Sequence, residues 1–123
     1  MNFELTEEQK MIQQSVERFV QENYDLTKRI KISAEEPGFS KDYWSSMAEL
    51  GWLGLAFDEE DGGFGGNQID TLVVMEQFGK GLVLEPFLAN IVLGGGAIKR
   101  GGSESVKQLI LPDLIEGKLQ VTL

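Results

Sequence analysis

Apolar residues recur at helical spacing along most of this chain, and one stretch has almost no polar side. Ile12, Val16, Phe19 and Val20 fall at i, i+4, i+7 and i+8, while Gln13, Gln14, Glu17, Arg18 and Gln21 fill the opposite face, which predicts a surface helix with one buried stripe. Its start is marked by Thr6-Glu7-Glu8-Gln9, the spacing of a capping box, with two carboxylates at the positive end of the helix dipole. Leu26, Ile30 and Ile32 either continue this helix or form a short second one, up to the break at Glu36-Pro37-Gly38. Ser40 then caps a helix with Trp44, Met47, Ala48 and Leu50 on one face, and Gly51 is placed to end it.

From Trp52 the chain changes from apolar (Leu53 to Phe57) to acidic and glycine-rich (Asp58 to Gly66), the signature of a loop. Asn67 caps a helix over Gln68 to Lys80, with Ile69, Leu72, Val73 and Glu76 on one face. A central segment from Leu82 to Gly102 follows. Between Phe87 and Ile98 its only side chain with hydrogen-bonding groups is Asn90, and a helix apolar all round must be buried all round. Pro86 suits its first turn, Lys99 and Arg100 suit the negative end of its dipole, and Gly101-Gly102 close it. Ser103 caps a last helix with Val106, Leu109, Ile110 and Leu114 facing inward, bent or broken by Pro112.

After Gly117 the period changes to two: Leu119, Val121 and Leu123 alternate with Gln120 and Thr122. The expected architecture is therefore all-α, an antiparallel bundle of about five to six helices over residues 1–117, with 118–123 as the first strand of a β domain.

Composition narrows the chemistry. The 123 residues suit one domain, and 11 Lys and Arg against 20 Asp and Glu leave a net charge of -9, which argues against nucleic acid and anionic membrane surfaces as partners. With no Cys and no His, disulfides, Cys/His zinc sites, thiol nucleophiles and histidine acid–base chemistry are excluded for these residues. Met1-Asn2-Phe3-Glu4 leads directly into a polar helix, which reads as a cytoplasmic protein. The Leu82 to Ile98 run is shorter than the roughly 20 residues a membrane helix needs and carries Glu85, Pro86 and Asn90.

Three features could carry a site. Gly62-Gly63-Phe64-Gly65-Gly66 invites a phosphate loop, but Gln68 holds the last position of the G-x-G-x-x-G spacing and the preceding carboxylates repel phosphate, so a tight turn is the better reading. Glu76 places a carboxylate on an apolar stripe; its structural reading is a partner for loop N–H groups or for Arg18, Arg29 or Arg100, and its functional reading is a general base. Gly94, Gly95 and Gly96 each cost about 1 kcal/mol of helix stability relative to Ala, and the missing Cβ atoms admit either a closely packed neighbour or a slender ligand.

With those residues in view, the chain resembles the N-terminal helical domain of the flavin-dependent acyl-CoA dehydrogenases. The likeness runs through Phe3 to Gln9, Ala48 to Leu55, Asp61 to Gly66, Glu76, Arg100 to Glu104, Leu111-Pro112 and Glu116-Gly117. Glu36 to Ser40 and Leu84 to Phe87 look most like the smaller subunits of bacterial two-subunit members, associated with dicarboxylic or steroid-derived acyl-CoA thioesters. Asp58 stands where the family usually has Pro, and Asn23 to Ile32 lacks the common Pro-containing helix exit, which implies a looser turn.

The resemblance implies a bundle followed by a β domain and a second bundle. It also implies a parent enzyme in which a carboxylate base removes the α-proton of an acyl-CoA while hydride passes to bound FAD. The base and nearly all FAD contacts belong to segments absent here, so these residues are expected to hold no cofactor, no metal and no catalytic group. The helix near Pro86 is expected to line the acyl pocket through Glu85, Ala89, Leu93 and Gly96, with Glu76 structural. Partners implied are an acyl-CoA thioester and either a second copy or a second dehydrogenase subunit. The contrasting possibility is a non-catalytic helical interaction module, or an acyl-CoA-binding subunit without dehydrogenase activity.

Overall fold

Local capping determines where the helices begin. In the computed structural model, which describes residues 2–122, Thr6 Oγ1 accepts from Gln9 N (3.1 Å) and Gln9 Oε1 accepts from Thr6 N (3.0 Å), so the expected capping box opens α1 (Glu7–Asn23). Asp25 accepts from Lys28 N (2.8 Å) and opens a separate α2 (Leu26–Ala34). Ser40 accepts from Tyr43 N (3.1 Å) at the start of α3 (Lys41–Glu49). Two short 3-10 turns, Trp52–Gly54 and Glu59–Asp61, bracket the acidic loop. Asn67 takes the N–H groups of Ile69 and Asp70 ahead of α4 (Gln68–Gly81). The central helix α5 consists of a π-helical Leu88–Gly95 followed by an α-helical Gly96–Gly101, and Ser103 caps α6 (Glu104–Ile115). The described residues form six helices and no strand, the all-α class expected.

α1 packs along α4, and the two run in the same direction. Gln9 Nε2 donates to Asp70 Oδ1 (3.2 Å) at their N-terminal ends. At the other end, a Cβ on Gly81 would sit 2.2 Å from Val20 Cγ1. This pair is parallel within a bundle expected to be antiparallel because α2, α3 and the loop intervene, where a short hairpin would have reversed the chain. The core it covers includes Val16, Val20, Met47, Leu53, Val74 and Leu114, each at most 7% exposed. An aromatic file crosses that core, with ring centroids 5.6 Å apart for Tyr43 and Phe19, 5.3 Å for Phe19 and Trp52, 6.2 Å for Trp52 and Phe78, and 5.3 Å for Phe78 and Phe87.

Two expected faces are rotated. On α4 the inward residues are Val73, Val74, Gln77 and Phe78, while Ile69 and Leu72 are 45% and 60% exposed. Glu76 therefore points to solvent, 3.9 Å from Lys80 Nζ, and neither the loop amides nor an arginine is its partner. On α6 the inward residues are Leu111, Leu114 and Ile115, while Val106 and Leu109 are 39% and 74% exposed. In both helices apolar residues occupy adjacent positions on two sides, so spacing alone left the inward side ambiguous, and packing against the other elements decides it. Pro112 lies inside α6 without breaking it, and the helix continues to Ile115.

The glycine-rich loop is a tight turn. Its amides are spent on nearby carbonyls: Gly63 N on Asp58 O (2.9 Å), Phe64 N on Gly54 O (3.0 Å), Gly65 N on Phe57 O (2.8 Å) and Gly66 N on Leu55 O (2.7 Å). A Cβ on Gly63 would lie 2.2 Å from Phe57 O, so glycine is required there by close backbone approach. Residues 118–122 pair with no strand among the described residues, and Leu123, the last residue of the alternation, lies outside them.

Candidate functional site: the notched central helix

Glu85 and Tyr24 set the entry to α5. The Tyr24 hydroxyl donates to Glu85 Oε1, Ser40 N donates to Glu85 Oε2 (3.0 Å), and Tyr24 Oη accepts from Leu84 N (3.3 Å). One 5%-exposed carboxylate thereby joins the end of α1, the positive N-terminus of α3 and the turn before α5. Burial pushes the Glu85 carboxyl above the ordinary carboxylate range, and the bonds from Tyr24 and Ser40 pull it partly back. Burial also pushes the Tyr24 phenol up, reinforced by its donation to Glu85.

Beyond Glu85 the chain adopts wide π turns, an uncommon geometry concentrated at functional sites. Phe87, Asn90, Ile91, Gly94 and Gly95 face the interior. Leu88 (50% exposed), Ala89 and Leu93 (47% exposed) form an uncovered apolar face on the other side. The glycine notches have specific occupants. A Cβ on Gly94 would sit 2.5 Å from Val121 Cγ2, and one on Gly95 would sit 2.6 Å from Phe57 Cζ and 2.8 Å from Leu114 Cδ2. At these two positions the missing side chains serve close packing. Gly96 differs: its nearest neighbour would be the guanidinium of Arg100 at 3.0 Å, the mobile end of a side chain on the same helix.

The four residues singled out from sequence thus divide. Ala89 and Leu93 share the exposed face, Gly96 is buried beneath Arg100, and Glu85 has both oxygens engaged inside the fold. Sequence reasoning missed Tyr24, which gave no signal beyond an aromatic ring at a helix end, and underused Asn90. Asn90 Oδ1 accepts from Val121 N (2.7 Å), holding residues 118–122 against the π turns, while its Nδ2 has no partner. Its position as the lone polar side chain in the apolar run was the available signal.

Nothing in this arrangement is a nucleophile or an acid–base pair; it offers an apolar wall on a rigid support. A flavin dinucleotide does not fit the glycine-rich loop, whose amides are already bonded to carbonyls. Among the described residues no helix is long and apolar enough to cross a membrane.

An all-helical domain with one notched, half-covered apolar helix belongs to the class of bundles that wall a pocket completed by other segments. The family follows from comparison: residues 6–118 match the acyl-CoA dehydrogenase N-terminal domain, and the chain belongs to that family. A probable acyl-CoA dehydrogenase of Bacillus subtilis (strain 168), YngJ, is 33% identical over 119 residues, covering 95% of this chain and 31% of the relative. Among solved structures, the ChsE4-ChsE5 complex from Mycobacterium tuberculosis matches with a TM-score of 0.90 at 25% identity, over 99% of this chain and 34% of that one. An acyl-CoA dehydrogenase complexed with FAD from Bacillus anthracis matches with a TM-score of 0.85 at 26% identity, over 95% of this chain and 20% of that one. This chain therefore spans about a third or less of the length of the relatives it matches.

Proposed function

We propose that this chain is the acyl-pocket wall of a longer flavin-dependent acyl-CoA dehydrogenase, inactive by itself, in which α5 lies beside the acyl chain of an acyl-CoA thioester. The observation that carries the reading is the uncovered face of Ala89 and Leu93 on a helix whose other side is core, within a family whose relatives are three times as long. The parent enzyme performs α,β-dehydrogenation: FAD, held by segments outside these residues, accepts hydride, and a carboxylate base also outside them takes the α-proton. This chain's part is to exclude water and limit acyl shape. Ala89, Leu93 and Gly96 contact the chain, and Glu85, held by Tyr24 and Ser40, orients the first turn. Residues 118–123 lead into a β domain, the setting is the cytoplasm, and a second copy or a second dehydrogenase subunit completes the assembly; the ChsE4-ChsE5 complex, itself an assembly of two proteins, supports that last point.

The test places Gly96→Leu and Ala89→Phe in the longer protein that contains this chain. Each bulky side chain should lower kcat/KM for long acyl-CoA relative to short by about tenfold or more, the discrimination expected of a few methylene groups in an apolar pocket. Flavin absorbance that bleaches on adding acyl-CoA establishes the activity separately. An unchanged chain-length preference in both variants would remove α5 from the pocket.

A further inference from the structure

We propose that a cleft at the head of α5 binds a linear monocarboxylate, with the apolar chain on the cleft floor and the carboxylate on Arg29. The cleft has a volume of about 320 Å³ and lies between α2, the end of α4 and the turn into α5. Phe78 and Phe87 form its floor, locked edge to face with centroids 5.3 Å apart and respectively 6% and 3% exposed. Leu82 and Leu88 stand on the rim, 59% and 50% exposed, a pair of large apolar side chains in water beside an apolar hollow. A Cβ on Gly79 would meet nothing within 4 Å, so the α4 wall is open there.

The charge pattern selects the occupant. Arg29 is held in place, its Nε donating to Leu82 O (2.7 Å), and no carboxylate among the described residues pairs with it. Its terminal N–H groups suit the planar, bidentate geometry of a carboxylate. Glu85, the other charged residue on the walls, has its oxygens turned to Tyr24 and Ser40. The carbonyl that Arg29 grips belongs to Leu82, the one non-glycine described residue with positive φ, at 52°. A leucine held in that disfavoured region marks a backbone shaped by its surroundings, as binding sites often are. An apolar hollow with one fixed cation at its edge is complementary to an anion with an unbranched tail.

The inference does not depend on the dehydrogenase reading, and its test needs only this chain. Titration calorimetry with sodium decanoate, kept below its micelle-forming concentration, should give saturable one-to-one binding. Decanol, lacking the charge, should bind about tenfold more weakly or worse. Gly79→Leu fills the open wall without a clash and should weaken decanoate about tenfold while leaving the melting temperature in place. Should that variant fail to fold, Leu88→Ser at the half-exposed rim carries the same expectation. Non-saturable uptake, equal binding of decanol, or indifference to the folded variant would each overturn the assignment.

Discussion

Removing Tyr24 or Glu85 should cost similar amounts, and removing both should cost far less than the sum. Tyr24→Phe deletes a hydrogen bond to a charged acceptor, worth about 1.5–3 kcal/mol, and leaves Leu84 N without its partner, a further cost of about 0.5–1.5 kcal/mol. Glu85→Ala orphans two buried donors, the Tyr24 hydroxyl and Ser40 N, at about 1–3 kcal/mol each. Part of that cost is offset because the variant no longer desolvates a carboxylate, so a net loss of about 2–4 kcal/mol is expected. The Tyr24–Glu85 bond is counted in both single variants and only once in the double, so the cycle should show a coupling of about 1.5–3 kcal/mol. Urea unfolding followed by tryptophan fluorescence measures it directly, since Trp44 and Trp52 are each 3% exposed and report loss of the core. A typical domain stability of about 5–15 kcal/mol leaves the single variants folded enough to measure. Additivity within about 0.5 kcal/mol would refute the reasoning, because it would mean that the two groups do not act through one another.

The same carboxylate predicts a pH dependence. Its folded value is raised above 4.5, so between 4.5 and that higher value the folded chain binds more protons than the unfolded one, and stability falls as pH rises through this window. Glu85→Gln should therefore gain on the native chain as pH is raised from 4 toward 7 in paired urea melts; a constant difference would show that Glu85 does not titrate there. Gly95→Leu forces a branched side chain against Phe57 and Leu114 and should cost at least about 1–3 kcal/mol by thermal melting, with no loss contradicting the packing role of that notch. Glu76→Ala should change stability by less than about 0.5 kcal/mol, since the exposed pair with Lys80 is loose; a loss above about 2 kcal/mol would restore Glu76 as a buried structural carboxylate.

What could be read from sequence follows the range of the interactions. Thr6 with Gln9, Ser40 with Tyr43 and Asn67 with Asp70 lie three residues apart, so their caps are written in short words of sequence and the helix starts are where they were expected. The inward faces of α4 and α6 depend on which neighbours arrive from elsewhere, and Leu72 beside Val73, or Leu109 beside Ile110, leaves two sides equally apolar. Glu85 illustrates the same limit at the candidate site. Its partners are 61 and 45 residues away, so nothing local distinguishes a carboxylate that binds a ligand from one that ties three elements together. Ala89 and Leu93 could be grouped because helical spacing relates them, whereas the occupants of the Gly94 and Gly95 notches, Val121, Phe57 and Leu114, come from three distant segments.

The π turns of α5 bear on how this domain tolerates insertion and deletion. Relative to an ordinary helix, a wide turn accommodates a surplus residue, and loss of one residue between Leu88 and Gly95 would let the run tighten into α geometry. Everything after the deletion would then rotate by about 100° and shift by about 1.5 Å. Lys99, whose Nζ donates to Ala56 O (2.6 Å), would swing away from the loop it holds. A one-residue length change in this helix is thus a large structural event, while the same change between α2 and α3 alters only a surface connection. Chains of this family that differ in length inside α5 should differ in which side chains face the exposed surface, even where every aligned residue is identical.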